Sequence, residues 1–270
     1  MLRTRALTAI ILVPIVIYCV CVGDLTFLAL MTLLLTLAEI EFVGMMSRVG
    51  FRPTLVFGLG LVWVFLADAY FPGLAMLRPG MTLLILGSLA WQLFHRQGSP
   101  VADWALTVVG GLYLGLCGAC LIGLRNLPHG LWWTLTVIPS IMIADTGAYF
   151  AGGTWGRRKL APTLSPGKTW EGYLAGVVSG GLLTGLLAWL WQWGAGEGVP
   201  IGIGHGLVLG VLIATLAPFG DLAVSMIKRR ANVKDSGSII PGHGGALDRV
   251  DSILWAAVIG YYYVLFVVGG

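Results

Sequence analysis

Four of the twelve acidic residues in this 270-residue chain, Asp221, Asp235, Asp248 and Asp251, share one short stretch with Lys228, Arg229, Arg230, Lys234 and Arg249. Carboxylates beside lysines and arginines suit a divalent cation and phosphate oxygens together. Mg²⁺ takes one or two carboxylates and completes its shell with waters and phosphates. Lys and Arg then neutralise the remaining phosphate charge. Within the stretch, Pro241-Gly242-His243-Gly244-Gly245 carries little side-chain bulk, so backbone N–H groups there can approach an anion. Asp248 and Asp251 stand three apart at the expected entry to a helix, which places them on one face. Each residue alone has a plainer use, since carboxylates cap helix starts and a Lys/Arg run beside an apolar helix sets topology or meets anionic lipid. Neither use needs the glycine turn, nor Asp221 on the opposite flank, so the set points to chemistry.

A second basic cluster, Gly156-Arg157-Arg158-Lys159, leads into Ser165-Pro166-Gly167-Lys168-Thr169-Trp170-Glu171-Gly172. The Gly-Lys-Thr triplet resembles part of a P-loop but lacks the spaced first glycine and the buried strand before it. It leaves a glycine-flanked lysine at the start of a helix, an arrangement friendly to anions. Upstream, Asp145 follows the apolar run from Thr136 to Ala144, and an ionisable group at such depth must face protein or water. Glu39 and Glu41 cannot share one side of a helix, so one is expected to turn toward the site while the other snorkels or pairs.

Ser225-x-Ile227-Lys228-Arg229, then Lys234-Asp235, Pro241-x-His243-Gly244-Gly245 and Asp248-Arg249-x-Asp251 closely resemble the signature of phosphatidate cytidylyltransferases, the CDP-diacylglycerol synthases. The match covers about thirty residues at fixed spacing, and the segment from Ser165 to Gly172 extends it. Ala246 stands where the family pattern has a larger apolar residue, a matter of local packing. The resemblance implies that the phosphate of phosphatidate attacks the α-phosphorus of CTP, giving CDP-diacylglycerol and pyrophosphate. It further implies Mg²⁺ held first by Asp221 and Asp248, with Asp251 and Asp145 completing or orienting the shell and room for a second ion. Asp221, Lys228, Asp248 and Asp251 are the expected catalytic set. Ser165, Lys168, Arg229, His243, Gly244, Gly245 and Arg249 are the expected substrate-binding set. Ser225 fits either a metal ligand or a helix cap.

The elements that must position these residues are membrane helices. The chain is 57% hydrophobic and 10% charged, with a mean hydropathy of +0.90, which is not a soluble composition. Apolar runs at 6–22, 25–45, 55–70, 81–94, 102–124, 131–150, 173–193, 203–218 and 252–268 predict an all-α polytopic membrane protein of about nine spans. No linker or low-complexity tract divides it. It is expected to be one catalytic body over 1–270, with N-terminal helices to about residue 100 and the site carried by the rest. The first run lacks a small-residue cleavage site and is expected to be retained. With the N-terminus inside, fourteen of the sixteen Lys and Arg residues fall on one side, leaving only Arg78 and Arg125 outside. That predicts a bacterial-type inner membrane, an outer C-terminus and a cytoplasmic site. Cys117-x-x-Cys120 lies in an apolar run without a second pair and predicts packing. The small-residue helices would permit a homodimer. CTP, phosphatidate and membrane lipid are the expected partners, and nucleic acid is not.

Three other functions meet parts of this pattern. A CTP-dependent polyprenol or phytol kinase would share the helices and the nucleotide, but would leave a phosphate rather than CDP on the lipid. An ion-coupled transporter would use carboxylates at the midplane of matched halves, and no such repeat is visible. A lipid-binding scaffold needs the basic loops but not the aspartates.

Overall fold

The computed structural model describes residues 2–95, 98–196, 198–239 and 244–269, with side chains from residue 10 onward. The described residues form ten α-helices, a 3-10 turn at Pro72–Leu74 and one hairpin: α1 (Leu2–Val22), α2 (Asp24–Arg48), α3 (Leu55–Tyr70), α4 (Leu77–Phe94), α5 (Pro100–Asn126), α6 (Gly130–Trp155), β1 (Lys159–Ala161), β2 (Ser165–Thr169), α7 (Trp170–Ala195), α8 (Ile203–Leu216), α9 (Pro218–Arg230) and α10 (Leu247–Tyr263). A π-helical stretch, Val264–Val268, continues α10.

Each apolar run read from the sequence coincides with a helix, yet a helix is not always a span. Among the described residues six stretches are long and apolar enough to cross a membrane: Asp24–Arg48, Pro100–Asn126, Gly130–Trp155, Trp170–Ala195, Ile203–Arg230 and Leu247–Val268. Ile10–Val22 and Leu55–Tyr70 are shorter apolar helices. The protein is therefore an α-helical integral membrane protein, with six stretches among the described residues that meet the length and hydropathy of a span. Beyond α8 the chain turns at Ala217 and continues as α9, making a 28-residue stretch that ends at Arg230. Pro218 opens α9, where its missing N–H costs nothing because that donor would have no partner inside the helix anyway. Asp221 thus sits in a first helical turn and Lys228, Arg229 and Arg230 in the last, the charge order that complements a helix dipole.

The chain divides into two compact units, residues 1–123 with 227–250, and residues 124–226 with 251–270. In the first, α2 buries Phe27, Met31, Leu35, Ala38, Phe42 and Met45 along one seam. The recurrence at three- and four-residue steps is that of a helix face. Glycines of α5 let its backbone close on α2 and α3: a Cβ at Gly118 would strike Leu35 of α2, and one at Gly111 would strike the Gly58 carbonyl oxygen of α3. Small residues serve this purpose in membrane helices, where packing rather than water exclusion drives association. Cys117 and Cys120 are buried free thiols in the same helix, as packing residues should be.

In the second unit the glycines of α7 do the same work against α6 and α8. A Cβ at Gly176 would meet the Ala144 carbonyl, and one at Gly210 would meet that of Gly180. Tyr173 of α7 donates to the Thr215 carbonyl (2.9 Å). His205 pairs its Nδ1 with the Tyr263 hydroxyl at 2.8 Å.

Candidate active site

The second unit gathers Asp145, Lys168 and Asp221 from three elements. Lys168 comes from a hairpin that composition concealed. β1 and β2 pair antiparallel, with Lys159 opposite Thr169 and Ala161 opposite Ser165. Glu171 holds the basic run in place by accepting the backbone N–H groups of Arg157 (3.0 Å) and Arg158 (3.1 Å). Thr169, buried at the junction of β2 and α7, caps that helix by accepting the Gly172 N–H at 3.2 Å. Strand and cap together aim Lys168, whose Nζ lies 2.5 Å from Asp221 Oδ2. Asp145, on α6, is close enough to feel both the Lys168 ammonium and the Asp221 carboxylate. The cluster is open, with Lys168 and Asp221 each a little over a quarter exposed. Ser165 starts β2 and is partly buried, and Ser225 is buried on α9.

The first unit builds a closed network around Asp248. Its Oδ1 accepts from Lys228 Nζ at 2.6 Å. Its Oδ2 accepts the Ser236 N–H at 2.8 Å, the Ser236 hydroxyl at 3.0 Å and the Gly245 N–H at 3.1 Å. Glu41 enters from α2, about two hundred residues away in the chain. Its Oε1 accepts the Ala246 N–H at 2.9 Å, and its Oε2 accepts the Leu247 N–H at 2.9 Å and the Ser236 hydroxyl at 2.8 Å. The N–H groups of Gly245, Ala246 and Leu247, where the glycine-rich loop enters α10, meet anions, and here those anions are the protein's own carboxylates. Gly244 has a left-handed φ of 82°, where a side chain would be strained. Arg229 and Arg249 are exposed, and Arg229 reaches the Val233 carbonyl at 3.4 Å. Asp251 is buried in the second unit, its Oδ1 2.6 Å from the Ser252 N–H. His243, with Pro241 and Gly242, lies outside the described residues.

Ser236 is the residue here that the sequence did not single out, and Glu41 is one that it left undecided against Glu39. The one available signal was two acids, Glu39 and Glu41, in an apolar helix. Glu41 does turn to the loop, but Glu39 neither snorkels nor pairs. It is fully buried with both oxygens unpartnered, in room that Gly58 and Gly110 leave by lacking side chains.

As to a metal, no group of three His, Cys, Asp or Glu residues is close enough to hold an ion among the described residues. Asp145 and Asp221 nonetheless offer a pair of hard oxygen ligands to an ion that draws the rest of its shell from water and phosphate, which is how Mg²⁺ is usually bound. Asp248 fits less well as it stands, because its oxygens already hold four donors.

Membrane helices carrying paired carboxylates and ammonium groups at a charged, glycine-rich site define a class of membrane-embedded polar-site proteins. The particular family follows from comparison. A model of the cytidylyltransferase family matches residues 3–267. A phosphatidate cytidylyltransferase of Bacillus subtilis is 31% identical over 268 residues, covering 97% of each chain. Enzymes of that name from Synechocystis and Brucella suis are 33% and 34% identical over 97% of this chain, and over 96% and 93% of their own lengths. The chain belongs to the cytidylyltransferase family and is a nucleotidyltransferase.

Proposed function

We propose that this protein transfers the CMP moiety of CTP to phosphatidate, giving CDP-diacylglycerol and pyrophosphate for phospholipid synthesis. A phosphate oxygen of the lipid forms a bond to the α-phosphorus of CTP, and the bond from that phosphorus to the oxygen bridging to the β-phosphate breaks. The nucleophile needs no base, because a phosphomonoester is already largely a dianion near pH 7. The protein's share is therefore position and charge, as in other phosphoryl transfers. The observation that carries this reading is the ion pair of Lys168 with Asp221, within electrostatic reach of Asp145. An ammonium rests where carboxylates converge, and can turn to a phosphate when one arrives.

Mg²⁺ would be held by Asp221 and Asp145 and would supply neutralisation of phosphate charge. Asp251 would help complete or orient that shell, and Asp248 could serve an ion only once Lys228 has turned to a phosphate. Lys168, Lys228, Arg229 and Arg249 bind phosphates. Ser165, Gly244, Gly245 and His243 shape the surfaces that the substrates meet. The basic loops face the cytoplasm, with the N-terminus inside.

The test is purified protein incubated with phosphatidate, Mg²⁺ and CTP labelled at either the α- or the γ-phosphorus. Label from the α position alone should enter the lipid extract, and chelation of the metal should stop it. Entry of the γ label instead would mark a lipid kinase and sink the proposal.

A further inference from the structure

We infer that Glu41 is a positioning residue for this transfer, acting from α2 through the start of α10 on Asp248 and Lys228. The inference rests on the function proposed above. Glu41 is only 6% exposed within an apolar helix, and a buried carboxylate is retained only where donors meet it. Three do: the successive N–H groups of Ala246 and Leu247, and the Ser236 hydroxyl. The loop is shaped to admit it, since a Cβ at Gly237 or at Gly245 would run into the carboxylate. Two glycines, two helix-start amides and a serine thus converge on one side chain from a distant helix.

A cap alone could be supplied by a neighbour in the chain, as most N-caps are. Glu41 does more, because Ser236 Oγ lies within bonding distance of Glu41 Oε2 (2.8 Å) and Asp248 Oδ2 (3.0 Å). A hydroxyl has one proton to give, so the two carboxylates share a donor. Asp248 follows Leu247 directly, and its other oxygen takes Lys228 at 2.6 Å. Removing the charge at residue 41 therefore frees the first turn of α10, shifts Ser236 toward Asp248 and lets the Asp248–Lys228 pair drift. Glu41 touches no reacting atom in this scheme. Its loss should appear as misplacement, which costs about 10²-fold in rate when groups move by about 1 Å.

The experiment compares wild type, Glu41→Gln, Ser236→Ala, Gly237→Ala and Glu39→Gln as full-length purified protein, with CDP-diacylglycerol formation and thermal unfolding followed in parallel. Glu41→Gln should lower kcat about 100-fold while KM for CTP and for phosphatidate each change less than about threefold. Gly237→Ala, which crowds the same carboxylate from the loop side, should show the same split. Ser236→Ala should lower kcat about tenfold and be non-additive with Glu41→Gln, as coupled neighbours are. Glu39→Gln, two residues away, should leave turnover unchanged. An active wild type with Glu41→Gln at normal kcat overturns the inference. So does a loss confined to KM, or one that merely tracks the fraction of protein unfolded. If Glu41→Gln does not fold, a folded Ser236→Ala decides alone: a drop in kcat with steady KM supports the inference, and an unchanged kcat overturns it. An inactive wild type would instead overturn the proposed function.

Discussion

Two lysine–carboxylate pairs of nearly equal length behave as opposites. In Lys168–Asp221 the side chains are 29% and 28% exposed, and the lysine arrives on a short hairpin strand. In Lys228–Asp248 they are 10% and 7% exposed, and the carboxylate also holds Ser236 and Gly245. An open pair is worth about 0–1 kcal/mol, because water competes for both partners. It can be exchanged for a phosphate and a metal at little cost. A closed pair is different, since removing one partner strands a charge. The comparison makes exchange cheap at the first pair and costly at the second, where Lys228 can turn to a phosphate only while Asp248 keeps its other donors.

The largest effect that tests this is Asp248→Asn. The amide keeps the shape and can still accept from Ser236 or Gly245, but leaves the Lys228 ammonium without its counter-charge. Stability should fall by about 3–5 kcal/mol, as for other broken buried pairs, and turnover should fall with it. Thermal unfolding in detergent measures the first, and CDP-diacylglycerol formation the second. An Asp248→Asn protein as stable as wild type would erase the distinction between the pairs. Asp221→Asn should separate the two quantities. Turnover is expected to drop by about 10²–10³-fold, the range for losing one electrostatic contact to a developing charge. Stability should stay within about 0.5 kcal/mol of wild type, as for exposed positions. If Asp221→Asn unfolds as readily as Asp248→Asn, the open pair is structural after all.

The contrast between the pairs was only half legible in the sequence. Charged residues in an apolar chain advertise themselves, so Lys168, Asp221, Lys228 and Asp248 stand out by type alone. Periodic hydropathy likewise reveals where helices run, although it cannot say which of them span. What does not show is how each charge is held. The strand that carries Lys168 reads Ser-Pro-Gly-Lys-Thr, residues whose local preferences favour turns. Pairing with the three residues of β1 overrides them. The segment Ala217-Pro218-Phe219-Gly220 looks like the end of a helix, whereas its proline begins one. Glu41 is hidden for a different reason. Its partners are Ser236, Ala246 and Leu247, and no spacing rule links residues so far apart in the chain.

The smallest expected effect sharpens the comparison most finely, because it asks what holds the open pair open. Thr169 follows Lys168 directly. Its hydroxyl caps α7 through the Gly172 N–H, and its methyl packs where Gly156 leaves space. Thr169→Ala removes the cap and should cost about 1 kcal/mol, the usual value for an N-cap threonine. Thr169→Ser keeps the hydroxyl and should recover most of that. If Lys168 is aimed by strand pairing and cap together, turnover should fall several-fold in Thr169→Ala and recover in Thr169→Ser, in step with stability. If turnover is indifferent to the cap, β2 alone aims the lysine, and the anchoring of Arg157 and Arg158 by Glu171 becomes the contact that keeps the hairpin in register.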